Sequence, residues 1–221
     1  DKGYITVAEP FKRLEAVGLV LGEGGGKMSK RDGNVINPDD VVKQWGADTL
    51  RLYIAFAGDY HDSFVWDSKA IVGPRRFIER VWNLQYKVVD EKNSQEIEII
   101  MHQTIKKVTE DIELLKYNTA VAQMMIFVNA VEKTSGINIE SYKILLKLLA
   151  PLTPFFVEEI WKSLGENNSV HLSNWPKFDA TKITEKVVNI AVQIDGKLRD
   201  VFQADVDQSD EQIITMAKAT V

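Results

Sequence analysis

Near one end of the chain a run of glycines leads into three cations. Gly22, Gly24, Gly25 and Gly26 fill four of five positions, and Lys27-Met28-Ser29-Lys30-Arg31-Asp32-Gly33-Asn34 follows directly. Glycine leaves the backbone nearly unrestrained there, so the segment reads as a basic hinge whose charged part moves as a unit. Lys27, Lys30 and Arg31 suit the charge on phosphate oxygens, and a solvated surface loop would have the same composition. A Walker-type phosphate loop is excluded. Met28 follows Gly26-Lys27 where a magnesium-binding Ser or Thr is required, and Leu21 stands where the first glycine belongs.

Other groups offer less chemistry. Arg75, Arg76, Arg80 and Lys87 lie on the surface left free by the apolar stripe Phe77, Val81, Leu84 and Val88. Such a face is either solvated or turned toward RNA phosphates, which arginine recognises well. Lys197 and Arg199 stand beside Asp195-Gly196, a two-residue turn of hairpin type. His61, His102 and His171 lack ligand spacing and read as ordinary surface or core residues, while the absence of cysteine removes disulfides and thiolate zinc sites. No metal held by protein ligands is expected.

The elements that must position the loop begin at once. Asn37-Pro38-Asp39-Asp40 predicts a helix start, with a capping Asn, Pro in the first turn and two acids at the positive end of the dipole; Gly46 ends it. A second helix is predicted from Ala47 to Ala57, with Leu50, Tyr53, Ile54 and Ala57 on one face and Asp48 complementing the helix's own dipole. Gly58 to Trp66 reads as an aromatic loop. Asp67 is the predicted cap of a helix from Ser68 to Asp90, broken or bent at Gly73-Pro74. Helices from Glu96 to Lys116, Asn118 to Thr134 and Ser141 to Leu164 follow, the last bent by Pro151 and Pro154. Their short polar connectors imply an antiparallel bundle, with the methionine-rich Gln123 to Phe127 as core packing. Asn167 to Thr184 reads as a linker. Strands from Val187 to Ile194 and Leu198 to Val206 pair through Asp195-Gly196, and Ile213, Ile214 and Ala217 stripe a last helix. The expected fold is mainly α in three parts: residues 1–66 with the loop, a helical bundle at 67–182, and a small α+β piece at 183–221.

Lys27 to Asn34 resembles the KMSKS loop of class I aminoacyl-tRNA synthetases, which is commonly followed by Gly-Asn. Asn37-Pro38-Asp39-Asp40, Gly46-Ala47-Asp48-Thr49-Leu50-Arg51-Leu52-Tyr53, Arg80-Val81-Trp82-Asn83-Leu84, Leu148-Leu149-Ala150-Pro151, Glu158-Glu159-Ile160-Trp161, Trp175-Pro176 and Gly196-Lys197-Leu198-Arg199 stand in the order of the leucyl-tRNA synthetases. The resemblance runs from about Pro10 to the last residue. It implies that ATP, with its bound Mg2+, meets the loop at Lys27, Met28, Ser29, Lys30 and Arg31, with Lys30 the phosphate-contacting cation and Lys27 its support. Arg31 replaces the family's usual second serine, and Phe155-Phe156 replaces a common Pro-His pair. The resemblance further implies leucine and tRNA(Leu) as partners, a monomeric parent enzyme, an anticodon-binding-type bundle and a C-terminal tRNA-contacting domain. Arg75, Arg76, Arg80, Lys87, Lys197 and Arg199 are the expected tRNA contacts. Isoleucyl, valyl and methionyl synthetases share the loop and bundle and remain alternatives, as does a non-catalytic RNA-binding module.

Composition bounds these readings. A chain of 221 residues holds one or two domains, and its net charge of −5 argues against indiscriminate nucleic-acid binding while allowing local basic faces. Apolar runs are shorter than a membrane span and no basic-then-apolar leader precedes them, so a cytoplasmic setting is expected. Both ends read as cut within larger units, the opening as the edge of a larger domain and the last helix stopping without a cap, and the resemblance implies that the nucleotide fold lies upstream. The chain is therefore expected to be inactive by itself.

Overall fold

The computed structural model describes residues 3–4, 6–7, 9, 11, 13–183, 187–194, 197–205 and 208–219. Helix α1 (Pro38–Trp45) starts where the sequence places it: the Asn37 side chain accepts from the Asp39 N–H at 3.2 Å, and Pro38 occupies the first turn. Gly46, at φ 87°, donates its N–H to the Val42 carbonyl and turns the chain into α2 (Ala47–Ala57). Before them, β1 (Val20–Leu21) pairs in parallel with β2 (Phe64–Val65), inside the expected aromatic loop. Gly18 makes this approach possible, because a Cβ there would lie 1.9 Å from the Asp62 carbonyl oxygen.

Helix α2 does not bury the single face expected of it. Leu50 and Tyr53 join Trp66 and Ile71 in a small cluster, whereas Leu52 enters the main core on another side. Two cores therefore grip the helix, and the line through Ile54, 44% exposed, is left uncovered. Ile54 lines an open groove of about 350 Å³ with Val20, Phe64, Tyr117 and Leu152.

The bundle comprises α3 (Val72–Asn83), α4 (Gln95–Glu113), α5 (Tyr117–Glu132), α6 (Ile139–Leu149) and α7 (Pro154–Ser163). Gly73-Pro74 does not break α3. It sits in the first turn, where proline's missing N–H has no intrahelical partner to lose. Asp67 caps the preceding turn through Lys69 N–H instead, and the helix gives way at Leu84 to a 3-10 turn (Leu84–Lys87) and then β3 (Val88–Val89). β3 pairs in parallel with β4 (Ile137–Asn138) just before α6. Helices α4 and α5 run antiparallel, since Thr104 meets Gln123 while Asp111, further along, meets the earlier Thr119. Ile105, Val108, Met124, Phe127, Leu145 and Ile160 are essentially inaccessible between the helices, so Met124 and Phe127 of the methionine run are core, whereas Ile126 is 52% exposed. Tyr142, wholly buried, donates its hydroxyl to the Val81 carbonyl at 2.9 Å.

The expected helix from Ser141 to Leu164 is two helices. Thr153 turns its hydroxyl back to the Leu149 carbonyl, so it leaves the α7 amino end uncapped. Helix α2 supplies what is missing from a hundred residues away. Asp48 accepts from the Phe155 and Phe156 N–H groups at 3.3 and 2.7 Å, and Arg51 donates to the Leu152 and Pro151 carbonyls at 3.0 and 2.8 Å. Asp48 therefore complements the dipole of α7, across a tertiary contact.

The expected linker is also more ordered than its composition implies. Its residues lie antiparallel along α4: Trp175 Nε1 donates to Thr109, the Asp179 N–H donates to His102 Nδ1 at 3.1 Å, and Lys182 pairs with Glu98 at 3.2 Å. Beyond it, β5 (Val187–Ile194) and β6 (Lys197–Asp205) form an antiparallel hairpin with a register shift at Val192/Gln193, followed by α8 (Asp210–Ala219). The Asp195-Gly196 turn lies outside the described residues.

Candidate functional site

The glycine run is a closed turn. The Gly25 N–H donates to the Gly22 carbonyl and the Gly22 N–H to Gly26, while Leu21 and Lys27 form an antiparallel bridge. Gly25, at φ 77°, forms the corner, so these glycines serve a defined turn where the sequence reads as an unrestrained hinge. Lys27 leaves this turn exposed, and its successor Met28 points inward to pack against the cluster of Leu50, Tyr53, Trp66 and Ile71. Met28 is thus the anchor of the loop; a buried-facing thioether has no proton to give a phosphate.

After the anchor the chain turns again. The Asp32 N–H donates to the Ser29 carbonyl, and Ser29 Oγ accepts from the Arg31 N–H at 3.2 Å. The Asn34 carboxamide spans the loop: Oδ1 accepts from the Ser29 N–H at 2.8 Å and Nδ2 donates to the Lys27 carbonyl at 3.2 Å. Lys27, Lys30 and Arg31 are all exposed, and among the described residues no carboxylate lies within ion-pair distance of them. Three exposed cations on a frame fixed by backbone hydrogen bonds can meet an anionic group without first breaking an ion pair among the described residues.

The second candidate surface divides. Arg80 is turned onto the neighbouring helix, where its guanidinium meets both Glu132 carboxylate oxygens at 2.9 and 2.5 Å and Asn129 Oδ1 at 2.5 Å. The two partners shift together, the hydrogen bond holding Glu132 below and Arg80 above its ordinary pKa. Arg80 is therefore a tie between α3 and α5, and the sequence could not reveal this because Glu132 lies 52 positions away. Arg75 pairs with Glu79 one turn on at 2.8 Å. Arg76 and Lys87 are exposed and carry no ion pair among the described residues. Arg199 is exposed on β6, remote in sequence from this face; Lys197 begins the same strand.

Sequence reasoning names Asn34 and Arg51 only as parts of motifs and gives neither a role of its own. A carboxamide after a left-handed Gly33 (φ 65°) is a turn signal that points to the first. Nothing local points to the second.

The geometry defines a helical bundle carrying an anion-ready loop on a capped helix pair. Residues 94–215, more than half of the chain, match the family model of the anticodon-binding domain of tRNA ligases, and residues 4–67 match that of the class I tRNA synthetases (I, L, M and V). The chain belongs to the class I aminoacyl-tRNA synthetases. Within them it is similar to the leucine–tRNA ligase of Alkaliphilus oremlandii (strain OhILAs), 43% identical over 214 residues that make up 96% of this chain and 27% of that protein. It is also similar to the crystal structure of Agrobacterium radiobacter K84 agnB2 LeuRS in a ternary complex with tRNA and LeuAMS. There the TM-score is 0.80 at 29% identity, over 98% of this chain and 31% of that one. The chain thus spans less than a third of the length of either relative.

Proposed function

We propose that this chain is the part of a leucyl-tRNA synthetase that supplies its phosphate-stabilising loop and its RNA-facing helices. The observation that carries the reading is the set of three exposed cations, Lys27, Lys30 and Arg31, unpaired among the described residues, on a loop held by its own backbone and by Met28. In leucine activation the amino-acid carboxylate attacks the α-phosphorus of ATP and pyrophosphate leaves, and the leucyl group then passes to tRNA(Leu). Charge moves onto phosphate oxygens during the first step, and cations already in place stabilise it without reorganisation. Lys30 contacts those oxygens, Lys27 supports them from the other limb, and Arg31 adds field. Magnesium arrives with ATP, held chiefly by the phosphates. Similarity to a leucine–tRNA ligase supports leucine over isoleucine, valine and methionine.

For RNA, the exposed Arg76 and Lys87 are the phosphate contacts of the bundle, joined by Arg75, Lys197 and Arg199, and the tRNA complex of the Agrobacterium relative supports tRNA as the partner. The three-part division at 66/67 and 182/183 follows the same reading. By themselves these residues catalyse no aminoacylation, because the loop needs a leucine and adenine pocket to close against. The test is leucine-dependent ATP–pyrophosphate exchange by the complete enzyme. Lys30→Ala is expected to lower kcat about a hundredfold with the KM for leucine unchanged, the pattern of an interaction made in the transition state. Wild-type exchange in that variant overturns the assignment.

A further inference from the structure

We infer that Asn34 is a positioning residue that sets the relative placement of Lys27 and Lys30. This inference rests on the reading of the loop as ATP-binding. The two limbs of the loop are secured differently. The first limb is tied to β1 by the Leu21–Lys27 bridge and the Gly22–Gly26 hydrogen bond, whereas the second closes on itself through the Asp32 N–H to Ser29 carbonyl turn. The Asn34 side chain connects them, reaching the Lys27 carbonyl with its amide nitrogen and the Ser29 N–H with its oxygen. Those two backbone groups flank Met28, whose partly buried side chain packs against the small core. The backbone from Lys27 to Ser29 is therefore fixed at three points, and Lys30 is the next residue to leave that frame.

A carboxamide does this because it presents a donor and an acceptor side by side in one plane; an aspartate keeps only the acceptor, and a serine lacks the reach. Space for it is provided by Gly22, where a Cβ would lie 3.1 Å from Asn34 Nδ2 and 3.3 Å from the Asn34 carbonyl oxygen. Misplacing a stabilising group by about 1 Å costs up to about a hundredfold in rate, so the clip matters to turnover even though Asn34 touches no reacting atom.

The experiment compares Asn34→Ala, Asn34→Asp and Lys30→Ala in the complete enzyme by ATP–pyrophosphate exchange, with hydrogen exchange at the Ser29 amide as a second readout. Asn34→Ala is expected to lower kcat about tenfold or more, to leave the KM for leucine unchanged, and to speed Ser29 exchange while buried amides such as that of Leu52 stay protected. Asn34→Asp, which keeps the Ser29 bond, restores part of both. Wild-type kcat in Asn34→Ala, or equal loss in the Ala and Asp variants, overturns the inference; if Lys30→Ala is impaired at the same time, the ATP reading stands. Normal exchange in Lys30→Ala overturns that reading instead.

Discussion

In the loop between Lys27 and Asn34, cations stand in solvent with no ion pair among the described residues while the backbone and one carboxamide hold their frame. In the bundle two arginines are committed within the fold: Arg51 to two carbonyls at the α6–α7 joint, and Arg80 to Glu132 and Asn129. The difference separates charges that are available to a ligand from charges that build the support. Composition alone ranks both regions as basic surface. Paired charges contribute to folding and release little on binding, whereas unpaired ones in a preorganised frame contribute to stability hardly at all.

The largest effect expected from this contrast is the loss of exchange activity in Lys30→Ala, with the urea midpoint of folding unchanged. A comparable fall in stability would erase the distinction between the two regions. Asp48→Ala should show the opposite profile, destabilising the chain by about 2 kcal/mol, because two N–H groups at the α7 amino end lose their acceptor. Asp48→Asn, retaining one acceptor oxygen, should lose about half of that; urea unfolding measures both. Arg80→Ala should cost about 1 kcal/mol, discounted for the roughly one-third exposure of both partners, and a double-mutant cycle with Glu132→Ala should recover most of it as coupling.

The same contrast extends to RNA and to pH. Neutralising Arg76 or Lys87 should reduce the slope of log affinity for tRNA against log salt by about 1 each, while Arg80→Ala leaves it unchanged. Gel-shift titrations at two salt concentrations decide this, and a reduced slope for Arg80 would return it to the RNA face. The smallest effect concerns His102, under the 173–183 segment. Burial, then Lys182, holds its pKa below the ordinary 6.5, with Glu98 and Asp179 opposing. The unfolded chain takes up the proton first, so the neutral ring's contribution is complete above about pH 6.5 and is lost as pH falls toward the folded value. The urea midpoint should therefore drop more between about pH 7.5 and pH 5 in the wild type than in His102→Asn, which keeps an acceptor for the Asp179 N–H without titrating.

Signals that depend on neighbours in the chain are legible in the sequence. Asn37, Pro38 and Gly46 bound α1 because caps and dipoles act within a turn, and the stripe of Phe77, Val81 and Leu84 is buried because helical periodicity places those side chains together. The loop's cations and their unusual glycine approach were equally plain. Two-residue strands at Val20, Phe64, Val88 and Ile137 carry too little pattern to be seen.

Which charges are taken depends on how the elements pack. Sequence placed Asp48 on its own helix dipole, Arg80 toward RNA and 167–184 as a linker, and each proved to have a partner between 52 and 108 positions away. A side chain's periodicity states the face it occupies; the element that packs on that face fixes its hydrogen bonds, and that choice belongs to the whole core. Local signals in the chain therefore fix that a loop of three cations stands before a capped helix pair and a bundle. In the folded chain Lys27, Lys30 and Arg31 carry no ion pair among the described residues, because the elements packed beside them bring no carboxylate there.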